Sequence, residues 1–364
     1  MILRSIQEKE SWRGQKVLLR VDFNVPIGDG GYVEEDEAWR IEKTLQTLVF
    51  LRDRGARIIL LSHFGRDGET LRPVADYLNK FIKLGFISNI LGPDVKKVID
   101  NLQDGEVVLL ENLRKDPREE ENNQEFAKEL AELGDIYIND AFSVSHREHS
   151  SIVSLPKFLP SYIGLQIQKE IENLNIIVEK PEHPFLFILG GSKFDTKLPL
   201  IKKYIEKVDK IFIAGALLNN FLKEKGFDIK KSAVEDKDFN LKEIINNKKL
   251  ILPDDLIWNN NMIVDIGQKS LEDLNKIIQN SKLILFNGPI GCYDHGFAVG
   301  TEKLLYMLLK SNAKTIIGGG HTVNLISKLQ LEDKFTFIST GGGAMLEFLI
   351  NGTLPGIEAL KDSL

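Results

Sequence analysis

The sequence is poor in the features that mark secreted, membrane-spanning and nucleic-acid-binding proteins. Its 364 residues include one cysteine, Cys292, so no disulfide can form within the chain and a reducing, cytoplasmic location is expected. The apolar runs are only a few residues long, so we expect no membrane span, and the first residues show no signal-peptide core. The net charge of −6 argues against a generally basic surface, so neither nucleic acid nor a membrane is expected as a partner.

Two common phosphate-binding motifs and one kind of metal site are also missing. The chain has no Walker A sequence and no strict G-x-G-x-x-G fingerprint. Its polar residues lack the close histidine, cysteine and carboxylate spacing that is typical of zinc sites. What remains is an ordinary globular composition, 43% hydrophobic and 27% charged, and a length that suits about two domains.

The first half alternates short apolar runs with amphipathic stretches, which predicts a parallel sheet wrapped by helices. Predicted strands cover residues 17–21, 57–61, 107–110 and 136–138. The acidic segment 118–133 is predicted to be a helix whose charges lie on a solvated face.

Polar and cationic residues follow nearly every one of these strands. In open α/β sheets, ligands bind beyond the carboxyl ends of the strands, and arginine pairs with carboxylate or phosphate in a bidentate way. One such arginine or histidine alone would be an ordinary surface or core residue, but the repetition favours a site for a small, multiply charged anion. With Arg40 close by in the sequence, the set is Asp22, Asn24, His63, Arg66, Arg114 and Arg147.

Glycine-rich turns follow the predicted strands of the second half. Glycine lets backbone amides approach a ligand, and five such turns favour a nucleotide over tight turns alone. The turns cover residues 190–191, 214–216, 287–291, 318–320 and 341–343. After the first of them, Lys193 and Lys197 are four residues apart, so they would lie on one face of a helix whose N-terminus suits phosphate. The alternative is an ordinary strand–turn–helix corner with two surface lysines.

A helix predicted over residues 163–178 would link the two halves, and its ends are candidate hinges. An anion site in one half and a nucleotide site in the other are the arrangement of a kinase that closes two lobes around a phosphoryl group. No general base stands out, which is natural if the acceptor is a carboxylate, because a carboxylate is already ionised at pH 7.

A set of motifs covering nearly the whole chain resembles the phosphoglycerate kinase family. The motifs are RVDFNVP (20–26), SHFGR (62–66), LLENLR (109–114), INDAF with HREHSS (138–151), ILGGSK (188–193), NGPIG (287–291) and STGGGAMLE (339–347). The resemblance implies two Rossmann-like lobes, each a parallel sheet flanked by helices. It also implies reversible phosphoryl transfer between ATP and 3-phosphoglycerate, giving ADP and 1,3-bisphosphoglycerate, in line and after lobe closure. Mg²⁺ would accompany the nucleotide, and the protein would be a monomer.

The resemblance also implies a division of the chain and a set of site residues. Residues 1–158 would bind 3-phosphoglycerate, 159–180 would form the hinge helix, 181–343 would bind the nucleotide, and 344–364 would return to the first lobe. The 3-phosphoglycerate site would comprise Asp22, Phe23, Asn24, Arg40, His63, Phe64, Gly65, Arg66, Arg114 and Arg147. The nucleotide site would comprise Lys193, Lys197, Gly215, Gly288, Asp294, Gly319, Gly320, His321 and Thr322. Arg40, Lys193, Gly320 and Gly342 would act on the transferring group.

Two of the departures from the family pattern concern aspartates on the nucleotide side. His321 replaces an aspartate associated with the Mg²⁺–nucleotide, and histidine is a poor ligand for this ion. Thr196 holds the place of another aspartate, while Asp195 lies one residue earlier. The metal ligands are therefore left unassigned. The alternatives are a kinase for another carboxylate or acyl phosphate, and a catalytically weakened binding protein of the same fold.

Overall fold

The computed structural model describes residues 3–35, 38–65, 68–235, 237, 239–361 and 363. The chain forms two compact units. The first comprises Met1–Glu172 together with Thr353–Leu364, and the second comprises Asn173–Gly352. The four-part division expected from the sequence stays a prediction.

The first unit is built on a six-stranded sheet whose strands are all parallel, in the order β3-β4-β2-β1-β5-β6. The strands are β1 (Lys16–Arg20), β2 (Arg57–Leu61), β3 (Gly85–Ile87), β4 (Val107–Leu110), β5 (Ile136–Asn139) and β6 (Ser161–Ile163). The helices are α1 (Trp39–Arg52), α2 (Arg72–Leu78), α3 (Pro93–Asp100) and α4 (Gln124–Ala131). Aliphatic residues of the inner strands are buried on both faces, as expected for a parallel sheet covered by helices.

Helix α5 (Leu165–Val178) begins in the first unit and ends in the second. The second unit holds another all-parallel sheet, in the order β14-β13-β12-β7-β8-β9. Its strands are β7 (Phe185–Leu189), β8 (Lys210–Ile213), β9 (Leu250–Ile251), β12 (Leu283–Asn287), β13 (Lys314–Gly318) and β14 (Phe337–Ile338). An antiparallel hairpin is formed by β10 (Leu256–Asn259) and β11 (Met262–Ile266). The helices are α6 (Phe194–Tyr204), α7 (Leu217–Glu224), α8 (Gln268–Gln279), α9 (Val299–Leu309), α10 (Gly320–Lys328) and α11 (Gly343–Asn351).

The last helix, α12 (Pro355–Lys361), packs in the first unit. The N–H of Gly356 donates to the carbonyl of Ser145 at 2.8 Å. A Cβ at Gly356 would lie 2.7 Å from Cγ2 of Ile152, so the close approach requires glycine.

Strand order reverses once in each sheet, and these reversals position the candidate site. In the first sheet, β2 and β5 lie on opposite sides of β1. In the second sheet, β8 and β12 lie on opposite sides of β7. At such a point the loops at the carboxyl ends of the strands diverge and leave a crevice.

Two predictions about helices are corrected by the structure. The acidic segment 118–133 is helical only over Gln124–Ala131, where Asn123 caps the helix by accepting from the N–H of Phe126 at 3.0 Å. Glu119 lies in a short 3-10 turn and is completely buried, so it does not belong to a solvated face. The helix predicted from residue 163 begins at Leu165, because Ser161–Ile163 pairs with β5 as a strand.

No helix among the described residues is long and apolar enough to cross a membrane.

Candidate active site

The loop after β1 is held rigidly by hydrogen bonds. Asp22 is largely buried, and its carboxylate accepts from the N–H of Asn24 at 3.0 Å and from the hydroxyl of Ser143. The N–H of Phe23 donates to Oγ of Ser62 at 3.0 Å. These bonds join the loop after β1 to the loops after β2 and β5.

The loop after β2 lies against this segment. The N–H of Phe64 donates to Oδ1 of Asn112 at 3.1 Å, and that of Gly65 donates to Oδ1 of Asn24 at 3.0 Å. Gly65 has a φ of 61°, a left-handed conformation that favours glycine. Arg66, the next predicted site residue, lies outside the described residues.

Three arginines of the predicted site lie at the same edge of the sheet. Nη1 of Arg40, on α1, lies 3.6 Å from Oδ2 of Asp22. Arg114 follows β4, donates to the carbonyl of Gly65 and pairs with Glu120 at 2.9 Å. Arg147 is half-buried and lies close enough to His63 to lower the pKa of its imidazole.

The electrostatics of this edge favour anions. Burial would raise the pKa of Asp22, but the charge of Arg40 and the hydrogen bonds from Ser143 and Asn24 lower it on balance, so Asp22 is ionised. The pKa of His149 is lowered to about 4, mainly by burial and also by the charges of Arg20 and Arg147. The arginine charges at this edge therefore disfavour a further cation.

Sequence reasoning missed the buried layer behind these residues. This layer consists of Arg20, Glu119 and Ser151, which are fully buried. Hydrogen bonds connect Glu119 to Ser151, Ser151 to Arg20, and Arg20 to His63. His149 also lies close enough to Arg20 and Arg147 for their charges to lower its pKa. The available signal was Arg20 itself, because a charged residue inside the apolar run of a central strand needs buried partners.

In the second unit, backbone segments approach too closely for any residue but glycine. The N–H of Gly190 donates to the carbonyl of Asn287 at 3.0 Å, which joins the ends of β7 and β12. A Cβ at Gly190 would lie 2.1 Å from the carbonyl oxygen of Pro289. A Cβ at Gly215 would lie 2.5 Å from the backbone nitrogen of Gly191. The turns after β7, β8 and β12 therefore form one compact glycine surface.

The two lysines of this corner differ in their surroundings. Lys193 is exposed at the N-cap of α6, whereas Lys197 is 6% exposed and donates to the carbonyl of Gly190. A Cβ at Gly191 or Gly288 would lie 2.8 Å from Nζ of Lys197, so the ammonium lies in a glycine cradle. The pKa of Lys197 is lowered to about 8, mainly by burial and also by the charge of Lys193. An anion that entered this corner would stabilise both ammonium groups.

Carboxylates already occupy part of the α6 N-terminus. The N–H of Phe194 donates to Oε1 of Glu235 at 2.7 Å. Asp195 forms an exposed ion pair with Lys237 at 3.0 Å. A phosphate in this corner would therefore interact with the lysines rather than with the Phe194 amide.

The N-termini of α10 and α11 are open to solvent or to a ligand. Gly319 (φ 100°) precedes α10 and Gly342 (φ 51°) precedes α11, and a Cβ at Gly342 would meet no atom of the described residues within 4 Å. Two buried polar atoms near the ends of β12 and β13, Oγ1 of Thr322 and Nδ2 of Asn287, have no hydrogen-bond partner in the described part of the chain. Asn287 was not predicted as a site residue. Open helix N-termini of this kind suit phosphate groups.

The position of His321 does not suit a magnesium ion. Its ring stacks on Tyr293, with centroids 5.3 Å apart, and its Nε2 lies 3.4 Å from Oδ1 of Asp294. Within the described parts of the chain, no three side chains of His, Cys, Asp or Glu lie close enough to hold a metal ion. Mg²⁺ prefers oxygen ligands, so of these two side chains only the Asp294 carboxylate suits the ion.

Comparisons with known proteins assign the family. A sequence profile described as "Phosphoglycerate kinase" matches residues 7–352. The chain belongs to this family. The phosphoglycerate kinase of Leptospira biflexa is 40% identical, over 97% of each chain. The solved structures of phosphoglycerate kinase from Coxiella burnetii (31% identity, TM-score 0.84) and from Pyrococcus horikoshii OT3 (27%, 0.87) each match over 99% of both chains.

Family membership confirms the resemblance and the fold class predicted from the sequence. Like other phosphoglycerate kinases, the chain is an α/β protein with two six-stranded parallel sheets. It is a phosphotransferase whose acceptor is a carboxyl group.

Proposed function

We propose that this chain transfers the γ-phosphoryl group of ATP reversibly to the carboxylate of 3-phosphoglycerate, giving ADP and 1,3-bisphosphoglycerate as a step of glycolysis and gluconeogenesis. The observation that carries the proposal is the gathering of Arg40, Arg114, Arg147 and His63 at the carboxyl edge of the first sheet. Such a set suits a substrate with a phosphate and a carboxylate. We also propose a monomer, as the family resemblance implies.

The acceptor is proposed to bind through charge and hydrogen bonds. The arginines neutralise its two anionic groups, while Asp22 and Asn24 accept hydrogen bonds from its hydroxyl. Asp22 also holds the Arg40 guanidinium, with 3.6 Å between Oδ2 and Nη1. This contact leaves part of the guanidinium for the carboxylate and the transferring group. A rigid loop supports such positioning, because little has to be ordered when the substrate arrives.

The nucleotide phosphates are proposed to bind the glycine surface of the second unit. Lys197 would contact the phosphates of the nucleotide and Lys193 the transferring group. Amides at the N-termini of α10 and α11, from Gly320 and Gly342 onward, would stabilise charge that develops on the phosphoryl oxygens. ATP would enter as its Mg²⁺ complex, the form that the family generally uses.

The proposed reaction requires the reactants to be positioned but requires no proton transfer. A carboxylate acceptor is ionised at neutral pH, so no base has to remove a proton. The loose transition state of phosphoryl transfer carries charge on its outer oxygens, which cationic groups neutralise. Acceptor and nucleotide residues belong to different units, so we propose closure of the two lobes before an in-line transfer.

A coupled assay with ATP, Mg²⁺ and 3-phosphoglycerate tests the proposal. We expect turnover with 3-phosphoglycerate and little with glycerate or acetate, because these lack the phosphate that Arg114 and Arg147 would bind. Faster turnover with another carboxylate would instead support the kinase of different specificity. Absence of turnover with ATP, GTP and other nucleotides would overturn the enzyme proposal.

A weakened binding protein is the second candidate, and the contact between His321 and Asp294 is the observation that favours it. His321→Asp restores a carboxylate at this position, so we expect binding of Mg²⁺–ADP to be tighter or unchanged. Calorimetric titration measures the affinity directly. A large loss of activity in this variant would show that the chain uses the histidine in its own way.

A further inference from the structure

Arg20 lies directly behind His63 and determines what its ring can do. Arg20 is fully buried, and its Nη2 lies 3.2 Å from Nδ1 of His63. The guanidinium has only hydrogen-bond donors, so Nδ1 must act as the acceptor. The proton of the neutral ring is then on Nε2. A ring protonated on both nitrogens would place two donors against each other.

Ser151 and Glu119 hold the Arg20 guanidinium in this position. Nε of Arg20 donates to Oγ of Ser151 at 2.8 Å, and that hydroxyl donates to Oε1 of Glu119 at 2.5 Å. The N–H of Ser151 donates to Oε2 of Glu119 at 2.9 Å. Glu119 is fully buried, with Oε1 3.9 Å from Nη2 of Arg20. Burial raises the pKa of Glu119, while the Arg20 charge and the hydrogen bonds from Ser151 oppose this rise.

The other nitrogen of His63 faces the acceptor site. Nε2 lies 3.8 Å from Oδ1 of Asp22, which is too long for a hydrogen bond. The charged groups that face the ring are Asp22, Arg20, Arg114 and Arg147. Burial and the three arginines lower the pKa of His63 well below its usual range, although Asp22 opposes this. The ring is therefore neutral, in agreement with the contact at Nδ1.

We propose that Glu119, Ser151 and Arg20 form a buried relay that fixes His63 as the Nε2–H tautomer. His63 then presents one hydrogen-bond donor, and no lone pair, to an anionic oxygen of the acceptor substrate. In this relay Arg20 is a positioning residue. The link to substrate rests on the proposed acceptor site, whereas the tautomer itself does not.

The tautomer is measured by long-range ¹H–¹⁵N correlation spectra of the full-length, ligand-free protein labelled at histidine, with His63→Gln to assign the signals. We expect an unprotonated Nδ1 and a protonated Nε2 on His63 at neutral pH. A proton on Nδ1, whether alone or together with one on Nε2, would overturn the relay without any variant.

Ser151→Ala removes the hydroxyl that joins Arg20 to Glu119. We expect signals of a second protonation state at His63, together with a roughly five- to tenfold rise in KM for 3-phosphoglycerate, the effect of one lost hydrogen bond. The values of kcat and of KM for ATP should stay within about twofold, because the reacting groups are untouched. Glu119→Gln should change the His63 signals in the same direction.

Ser150→Ala is the matched control. Ser150 is also fully buried, but its Oγ lies within hydrogen-bond distance of the carbonyls of Arg118 (2.7 Å) and Asn123 (3.1 Å), so its one proton is not used in the relay. We expect the His63 signals and KM to match those of the wild type. Equal effects of the two alanine variants would reduce the relay to a packing role and overturn it. Changed His63 signals with an unchanged KM would keep the relay but remove His63 from the acceptor site.

Discussion

Arg40 retains a partly exposed guanidinium at the edge of the first sheet. Its Nη1 makes two long contacts, to Asp22 at 3.6 Å and to the carbonyl of Asn24 at 3.5 Å, and its side chain is 26% exposed. We expect Arg40→Ala to lower kcat by roughly 100-fold or more, because a preorganised charge at the transferring group is lost. Arg72→Ala, which removes an exposed arginine paired with Asp76, should leave kcat unchanged. A fall of less than about threefold in Arg40→Ala would contradict the role.

The ligand-free fold disfavours the charged form of the Lys197 side chain. Its pKa in the folded protein, about 8, is below the ordinary value of 10.5. The unfolded chain therefore binds more protons between these values, and stability is lost as the pH falls from about 10.5 to about 8. We expect Lys197→Met to raise the free energy of unfolding at pH 7 by about 1–3 kcal/mol.

The increase in the free energy of unfolding of Lys197→Met should disappear near pH 10.5. Urea unfolding at several pH values would measure this dependence. Lys202→Met, at an exposed position of α6, is the control and should change little. A stability difference that is independent of pH would show that the gain comes from packing rather than from the buried charge.

The start of helix α5 depends on one side chain from the end of β5. Oδ1 of Asp140 accepts from the N–H groups of Gln166 (2.8 Å) and Ile167 (3.2 Å). A Cβ at Gly164 would lie 2.3 Å from the same oxygen, so glycine is required there. Asp140 thus acts as the cap of a helix that begins in one unit and ends in the other.

We expect Asp140→Ala to cost about 1 kcal/mol, the usual value of a lost helix cap. Hydrogen exchange at the amides of Gln166 and Ile167 should become faster. Asp140→Asn keeps an acceptor oxygen and should retain most of the protection. Equal exchange rates in the wild type and Asp140→Ala would mean that the cap does not hold the helix start.

The sequence predicted the elements that carry a local signal. The apolar runs that became β1, β2, β4, β5 and β7 and the glycine turns of the second sheet were all visible in it. The prediction that Glu119 lies on a solvated face is wrong, because its partners, Arg20 and Ser151, come from distant segments. The burial of Lys197 likewise depends on Gly191 and Gly288, which belong to turns after different strands. Such contacts are set by topology, which no local pattern reveals.

Each ligand is proposed to bind one of the two units. Arg114 belongs to the first unit and Lys197 to the second. Both sheets are parallel, but different residues lie at their carboxyl edges. One edge carries arginine side chains, and the other carries glycine backbone and lysines. Phosphoryl transfer then needs the reacting atoms to be brought within about 3–3.5 Å.

Calorimetric titration of single variants with each ligand tests this assignment most directly. We predict that Arg114→Ala weakens 3-phosphoglycerate binding by at least about tenfold, the value of one charged hydrogen bond, and leaves the Kd for ADP within about twofold. Lys197→Met should weaken ADP binding by at least about tenfold and leave the Kd for 3-phosphoglycerate within about twofold. A variant that weakens only the ligand assigned to the other unit, or both ligands equally, would contradict the account.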